Sequence, residues 1–249
     1  MEKSFEFVSR NSVKQSSSNG YAEKFEQDGF WYKANVGAFN SHAEVVACRL
    51  SKYTNVNKCV EYSLIKQNNE YFTKSADFIK GRPFETLSSL HSKVTGTSIE
   101  YVQNTLFGEK LFTYVINFVK SAVKKDVTED LVKILKFDAF VLNEDRHFKN
   151  LALLLVNNQW EIFPMYDFDC ALFSCIEDLD NLPTEHKSLP FFFTHNEQLR
   201  FLNKISNFKL IVKPFNPQQI IDNLWDKEYT IGNDVILAYL ETVKGGLTL

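Results

Sequence analysis

Three polar residues near the middle of the chain have the types and spacing for one kind of chemistry. Asn143-Glu144-Asp145-Arg146-His147-Phe148-Lys149-Asn150 follows an apolar run, and Pro164-Met165-Tyr166-Asp167-Phe168-Asp169 comes shortly afterwards. Asp145 and Asn150 are five residues apart, and Asp167 lies 22 beyond Asp145. A carboxylate beside an acceptor hydroxyl can orient it and take its proton, which is the role this order gives Asp145. Phosphoryl transfer also needs a divalent cation on the phosphates. Mg2+ takes oxygen ligands, so a carboxylate and a side-chain amide suffice beside phosphates and water. Asp167 and Asn150 would supply them. D-x-x-x-x-N alone says little, because Asp and Asn also populate turns and caps. D-R-H-x-x-N after an apolar helix, followed by a hairpin and Y-D-F, is far more specific.

These residues need elements to hold them. Residues 5–8 and 21–25 alternate as short strands around Ser16-Ser17-Ser18-Asn19-Gly20. Asp28-Gly29 reads as a hairpin turn, with residues 30–34 as the return strand. From Ser41 the period becomes helical through Ala43, Val46, Ala47, Leu50 and Tyr53, with Ser41 and Glu44 spaced as a capping box. Residues 60–66 and 70–79 read as strands about a turn at 67–69. Beyond Gly81-Arg82-Pro83 the spacing predicts long helices over 99–124 and 130–142, a hairpin over 151–163 around Asn157-Asn158, and helices near 197–206, 217–225 and 233–243. The order predicts an α+β, bilobal, protein-kinase-like arrangement: an N-terminal antiparallel sheet lobe over 1–80 with one helix, and a larger, mainly helical C-terminal lobe over 81–249.

Composition narrows the function classes. The chain has 249 residues and a formal net charge of −3, so no basic excess points to nucleic acid or a membrane surface. The N-terminus has no apolar secretory run, and no stretch approaches a membrane span. A cytoplasmic location is expected, with delivery to a host by a signal-independent route left open. Cys48, Cys59, Cys170 and Cys175 lack zinc-ligand spacing and read as reduced core thiols, a Cys170–Cys175 disulfide being the alternative. Ser188-Leu189-Pro190-Phe191-Phe192-Phe193 reads as a buried strut or, if exposed, a peptide-docking run.

N-x-D-R-H-x-x-N with a downstream P-x-Y-D resembles the HipA-like serine/threonine kinases, both toxin kinases and short effector kinases. D-R-H-x-x-N with D-F is shared more distantly with phosphoinositide-3/4-kinase-like enzymes. The resemblance implies an ATP- and Mg2+-dependent kinase acting on a protein substrate, with an antitoxin as a partner in the toxin case. A phosphoinositide or small-molecule acceptor, or a nucleotide-binding module without turnover, are the alternatives. It further implies a strand lysine on the ATP phosphates, Lys33, held by a helix glutamate, Glu44. Their bland alternatives are a solvated lysine and a capping glutamate. Asp77, Phe78 and Ile79 would offer backbone groups to adenine where the lobes join. Ser16, Ser17 and Ser18 fall in the phosphate-loop region, where such kinases can autophosphorylate; a flexible polar loop is the other reading. His147 is expected to pack and orient the catalytic loop. Arg146 is expected to contact phosphate or brace that loop, and Asp169 to be a second metal ligand or solvated.

Overall fold

The computed structural model describes residues 23–249 except 38, 57, 68–69, 177 and 225–229. The strand expected over 5–8, the serine loop, and the turn residues Asn68 and Asn69 lie outside these.

The described residues begin with β1 (Lys24–Gln27) and β2 (Phe30–Ala34), joined at Asp28 and Gly29, whose φ values of 52° and 77° are those a two-residue hairpin demands. Helix α1 (Asn40–Ser51) follows, then β3 (Tyr62–Gln67) and β4 (Glu70–Ala76). These strands form one antiparallel sheet in the order β1-β2-β4-β3. Its period of two sorts the side chains. Phe25, Tyr32 and Phe72 cluster together, while Lys33 lies opposite Lys24 on one side and Thr73 on the other.

Helix α1 is buried along almost its whole length, Arg49 excepted after its first residue. It therefore lies between layers instead of floating one polar face in water. The capping box at Ser41 does not form. The helix starts a residue earlier, and Asn35 Oδ1 accepts from the Ser41 N–H at 2.9 Å, so Ser41 and Glu44 are both inside and buried.

After β5 (Phe84–Thr86) come α2 (Leu87–Thr95), α3 (Ile99–Gln103), α4 (Glu109–Val123) and α5 (Thr128–Val141). The single helix expected over 99–124 is thus two. Gly108, at φ 60°, leaves the helical region and donates its N–H to Phe191 O at 2.8 Å, a tertiary bond that apolar spacing does not foreshadow. Hairpin β6 (Ala152–Val156) and β7 (Gln159–Ile162) turns at Asn157 and Asn158, both left-handed, and β5 pairs on β6. Then come β8 (Lys187–Ser188), β9 (Phe192–Thr194), α6 (His195–Ile205), β10 (Ile211–Val212), α7 (Pro217–Ile221), α8 (Thr230–Val243) and β11 (Leu247–Thr248), with β8 paired to β9 and β10 to β11. The fold is α+β, and one large apolar core runs from α1 through α4, α5 and α6 to α8. The Phe191–Phe193 run divides: Phe191 and Phe192 are buried in this core, whereas Phe193 is 65% exposed against Phe107. Among the described residues no helix is long and apolar enough to cross a membrane.

A buried ion pair holds the end of α5 to the loop beyond it. Arg146 is fully buried and donates to both Asp138 oxygens, Nε at 3.0 Å and Nη2 at 2.9 Å. Asn143 Nδ2 also donates to Asp138, at 2.9 Å. A buried pair contributes little against an apolar substitute, but breaking one side strands the other charge. Asp138→Ala should lower the unfolding free energy by about 3–5 kcal/mol, read from urea denaturation. A loss of under about 1 kcal/mol, the range of an exposed pair, would show that Arg146 finds another partner.

Candidate active site

The catalytic-loop segment begins where α5 stops, at Leu142 in the left-handed conformation. From there exposure alternates. Arg146, Phe148 and Asn150 are buried, while Asp145, His147 and Lys149 are partly exposed. Arg146 Nη1 donates to the Asn150 carbonyl at 3.2 Å and also to that of Tyr166, so one guanidinium ties α5, the loop and the segment preceding Asp167. Its burial and its bonds leave bracing as its role, and the phosphate contact raised as the alternative does not arise. Tyr166, expected only to pack, donates its hydroxyl to Lys149 O at 2.5 Å and pins the end of the loop. Asn150 Nδ2 donates to Asp145 O at 3.3 Å, leaving Oδ1 as its acceptor end.

His147 departs from expectation. Its side chain is 43% exposed, with Nε2 3.9 Å from Asp145 Oδ2. The alternation places it on the open side with Asp145, and Phe148 does the packing instead.

Two cavities meet at these residues. One, of about 500 Å3, is lined by Asp145, His147, Asn150, Asp167, Asp169 and Lys33 among others. The second, of about 200 Å3, lies between the four-stranded sheet, β5 and the segment from Phe163 to Asp167 and is mostly apolar, with Trp31, Val60, Phe78, Ile79 and Phe163 in its walls. Lys24, Lys33, Lys149, Asn150 and Asp167 border both. Residues far apart in the chain thus converge on one cleft.

Lys33 is the electrostatic centre. Its ammonium bonds Asp167 Oδ1, lies 2.8 Å from Asp169 Oδ2 and 3.6 Å from Glu44 Oε1. Burial works to lower its pKa, but the three carboxylates, Asp167 foremost, hold it well above the usual lysine range. Asp167 shows the reciprocal effect. Burial pushes its carboxyl up, yet Lys33 and then Lys24, 3.8 Å away, hold it well below the ordinary aspartate value. Glu44 shifts the other way, raised by burial that Lys33 only partly offsets. The ammonium is shared, and the nearer Asp167 receives most of its benefit. Glu44 is kept by hydrogen bonds instead, accepting from Thr73 Oγ1 at 2.9 Å and the Phe168 N–H at 3.3 Å. These contacts replace the capping alternative for Glu44 and the solvated alternatives for Lys33 and Asp169.

At the sheet end of the apolar cavity, Asp77 accepts from the Ile79 N–H at 3.0 Å and from Trp31 Nε1 at 3.4 Å, while Arg82 donates to the Phe78 and Ile79 carbonyls. Much of the polar edge expected from Asp77, Phe78 and Ile79 is therefore already engaged. Ser16, Ser17 and Ser18 lie outside the described residues.

Solved structures with the same arrangement decide the fold. The Helicobacter pylori proinflammatory kinase CtkA matches with a TM-score of 0.60 at 15% identity, over 92% of this chain and 89% of that one. HipA of the Shewanella oneidensis MR-1 toxin–antitoxin system, solved with HipB and operator DNA, matches at 0.56 and 14% identity, over 92% of this chain and 65% of that one. The chain has the HipA-like kinase fold. No family model matches the sequence, and no curated protein does.

One residue bracing this site has no signature in the sequence reading, and a second is legible only in part. Asp138 was hidden in an apolar helix, where a lone carboxylate at a core position was the available signal. Lys24 reads from the sequence as a strand residue and as the lysine to hold phosphates should Lys33 not; its register opposite Lys33 is a property of the hairpin.

The sharing of Lys33 has a measurable consequence. Asp167 has a depressed folded pKa, so its contribution to stability is present above the unfolded value of about 3.9 and is lost as pH falls through the folded value. Lys33→Met removes the counter-charge. The variant should be less stable than wild type at pH 7, and the gap should close on acidification below about pH 4. Thermal denaturation at both pH values checks this, and a gap independent of pH would mean Lys33 acts by packing.

Proposed function

We propose that the chain is a Mg·ATP-dependent kinase that phosphorylates serine or threonine hydroxyls of a protein. The observation that carries this is the convergence of Lys33, Asp167, Asn150 and Asp145 on one cleft that continues into an apolar pocket. ATP needs an apolar slot for its base and cations for its phosphates. The smaller cavity takes the adenine, with the Asp77 carbonyl and the Phe78 N–H assigned to its polar edge. Lys33, with Lys24 opposite, receives the phosphates, and Glu44 keeps Lys33 in place.

The donor set fits Mg2+. Around Lys33 and Lys24 stand Glu44, Asp167 and Asp169, so carboxylates outnumber ammonium groups before any phosphate arrives. Among the described residues no set of three or more His, Cys, Asp or Glu is placed to hold a metal unaided. That suits a cation that keeps phosphate and water ligands. Asp167 and the Asn150 amide oxygen would hold it, and when bound it would bridge the phosphates and offset their charge. Asp169 stands at the same cavity for a second contact.

Asp145 orients the acceptor hydroxyl and takes its proton. Burial raises its pKa, and the negative neighbours Asp169 and Asp167 add to this against the opposing pull of His147. Such a shift improves a base whose task is near neutral pH. His147 sits beside Asp145 and steadies that carboxylate. Ser16, Ser17 and Ser18 are proposed as autophosphorylation sites. A small antitoxin-like protein is proposed as a binding partner, because the HipA neighbour was solved with HipB.

Incubation with Mg2+ and radiolabelled ATP, alongside generic protein, phosphoinositide and metabolite acceptors, tests the assignment. Wild type should label protein, including itself. Asp145→Asn should fall about 10²–10⁴-fold as the base is removed, and Asp167→Asn should lose label with the metal ligand. Equal labelling by all three proteins would overturn the roles, and label on lipid alone would change the acceptor class. Because Asp145 must be ionised to act, kcat/KM should decline as pH falls through a value above the ordinary aspartate pKa of about 3.9. An acid limb at or below that value would place the base elsewhere.

A further inference from the structure

The segment after Asp167 carries a feature that phosphoryl transfer does not require. Cys170 and Cys175 are joined by a disulfide, their Cα atoms 5.0 Å apart. This corrects the expectation of reduced thiols: the chain folds back within five residues and brings the two sulfurs together. Both cysteines line the cavity that holds Asp145, Asp167 and Asp169. Cys175 is exposed, whereas Cys48, one of the two free cysteines among the described residues, is buried.

The bridged loop is tight and tied to the site at several points. Leu172 and Phe173 are consecutive left-handed residues, at φ 52° and 68°, a conformation that L side chains adopt only when their surroundings enforce it. Leu172 N–H donates to Val141 O at 2.9 Å, at the end of α5, and Glu144 N–H donates to Cys170 O at 3.2 Å. The Asp169 carbonyl accepts from Ser174 Oγ inside the loop and from Asn40 Nδ2 of α1 at 2.8 Å. Asn40 Nδ2 also lies 3.7 Å from Cys175 Sγ. One covalent bond therefore closes the loop that joins α1, the catalytic loop and Asp169.

We infer that the Cys170–Cys175 pair is a redox modification site that sets the order of the segment bearing Asp167 and Asp169. An external thiolate attacks the exposed Cys175 sulfur, forms a mixed disulfide there and expels the Cys170 thiolate. A second thiol group of the reductant then releases Cys175. Overall the protein disulfide gains two electrons and two protons as the dithiol reductant is oxidised to its own disulfide. With the bridge open, Cys175 and Ser174 are free to leave the Asp169 carbonyl. The bridged form is the ordered one. The effect on nucleotide rests on the kinase reading; the effect on the loop does not.

The test uses the full chain, air-oxidised or treated with dithiothreitol, with hydrogen exchange over residues 168–176 and binding of a non-hydrolysable ATP analogue with Mg2+. Reduction should speed exchange at Leu172 and Ser174 and weaken analogue binding by about five-fold or more, the lower end of ordinary coupling between sites. Cys175→Ser should match reduced wild type and ignore dithiothreitol. Cys175→Ala provides the same comparison if the serine variant folds poorly, and reduction of the wild type needs no variant. Unchanged exchange after full reduction would overturn the inference, as would alkylation of both cysteines in the air-oxidised protein. If exchange responds but the analogue binds equally in both states, the link to the cleft is overturned. If exchange responds and the analogue binds in neither, the redox site stands and the kinase reading falls.

Discussion

The ammonium of Lys33 answers to carboxylates from α1 and from both ends of the Asp167-Phe168-Asp169 run, and the geometry of the cleft depends on how that single charge is divided. Three carboxylates gathered in a partly buried space repel one another, and at short range in a poorly screened site this is a large effect. Lys24 offsets part of it from the neighbouring strand. What remains is a site whose own charges call for more positive charge. Yet it also presents two ammonium groups to any anion entering from the apolar pocket. A metal–phosphate pair meets both demands together, where either ion alone meets one. The opposite shifts of Asp167 and Glu44 show which carboxylate the ammonium favours before such a pair arrives.

The buried Arg146 is a cation of the reverse chemistry. Its planar fork engages both oxygens of one carboxylate, Asp138, and Nη1 takes two carbonyls, so four of its five donors are committed in one arrangement. Arginine suits a fixed brace because its donors are preset in direction, whereas an ammonium re-aims its three donors at little cost. The molecule uses each accordingly. The loop carrying Asp145 and Asn150 is held by the rigid cation, and the carboxylates gathered at the cleft are held by the adaptable one.

Much of this was legible where local chemistry decides the backbone. Asp28-Gly29 and Asn157-Asn158 turned where turn residues predict, because left-handed conformations restrict the residues that fit. The α+β order came from changes of hydrophobic period. Legibility ended where a distant partner decides. Nothing near Gly108 announces the carbonyl of Phe191 that interrupts the run from 99 to 124, and the two-residue strands β10 and β11 exist only because each meets the other from far along the chain. Ser41 and Glu44 matched a capping box in spacing, but Asn35 took the cap, freeing Glu44 to reach Lys33. Lys33 and Glu44 have no local signature that separates them from a solvated lysine and a capping glutamate; a family resemblance selected them, and the fold then placed them together. Cys48 and Cys59 are free as expected, but Cys170 and Cys175 take the alternative reading, because a spacing of five says nothing of a chain that folds back between them.

The motif around Asp145 was readable for a physical reason that the structure makes plain. From 145 to 150 exposure alternates, the Asp145 backbone is bridged in parallel to Leu189, and the Asn150 N–H closes a turn on His147 O at 2.8 Å. Alternation assigns one set of side chains to the cleft and the other to the interior. Arg146 and Phe148 are interior and hold the loop; Asp145 and His147 face the open side. Asn150 falls on the interior parity yet borders both cavities, which is what a ligand must do if it is to be fixed by the protein and still reach an ion. A shorter or longer loop would lose the turn on His147 O and the Asp145 carbonyl that together orient the Asn150 amide. The five-residue spacing is therefore a statement about a turn and its reach, and this gives D-R-H-x-x-N a specificity that neither its aspartate nor its asparagine has alone.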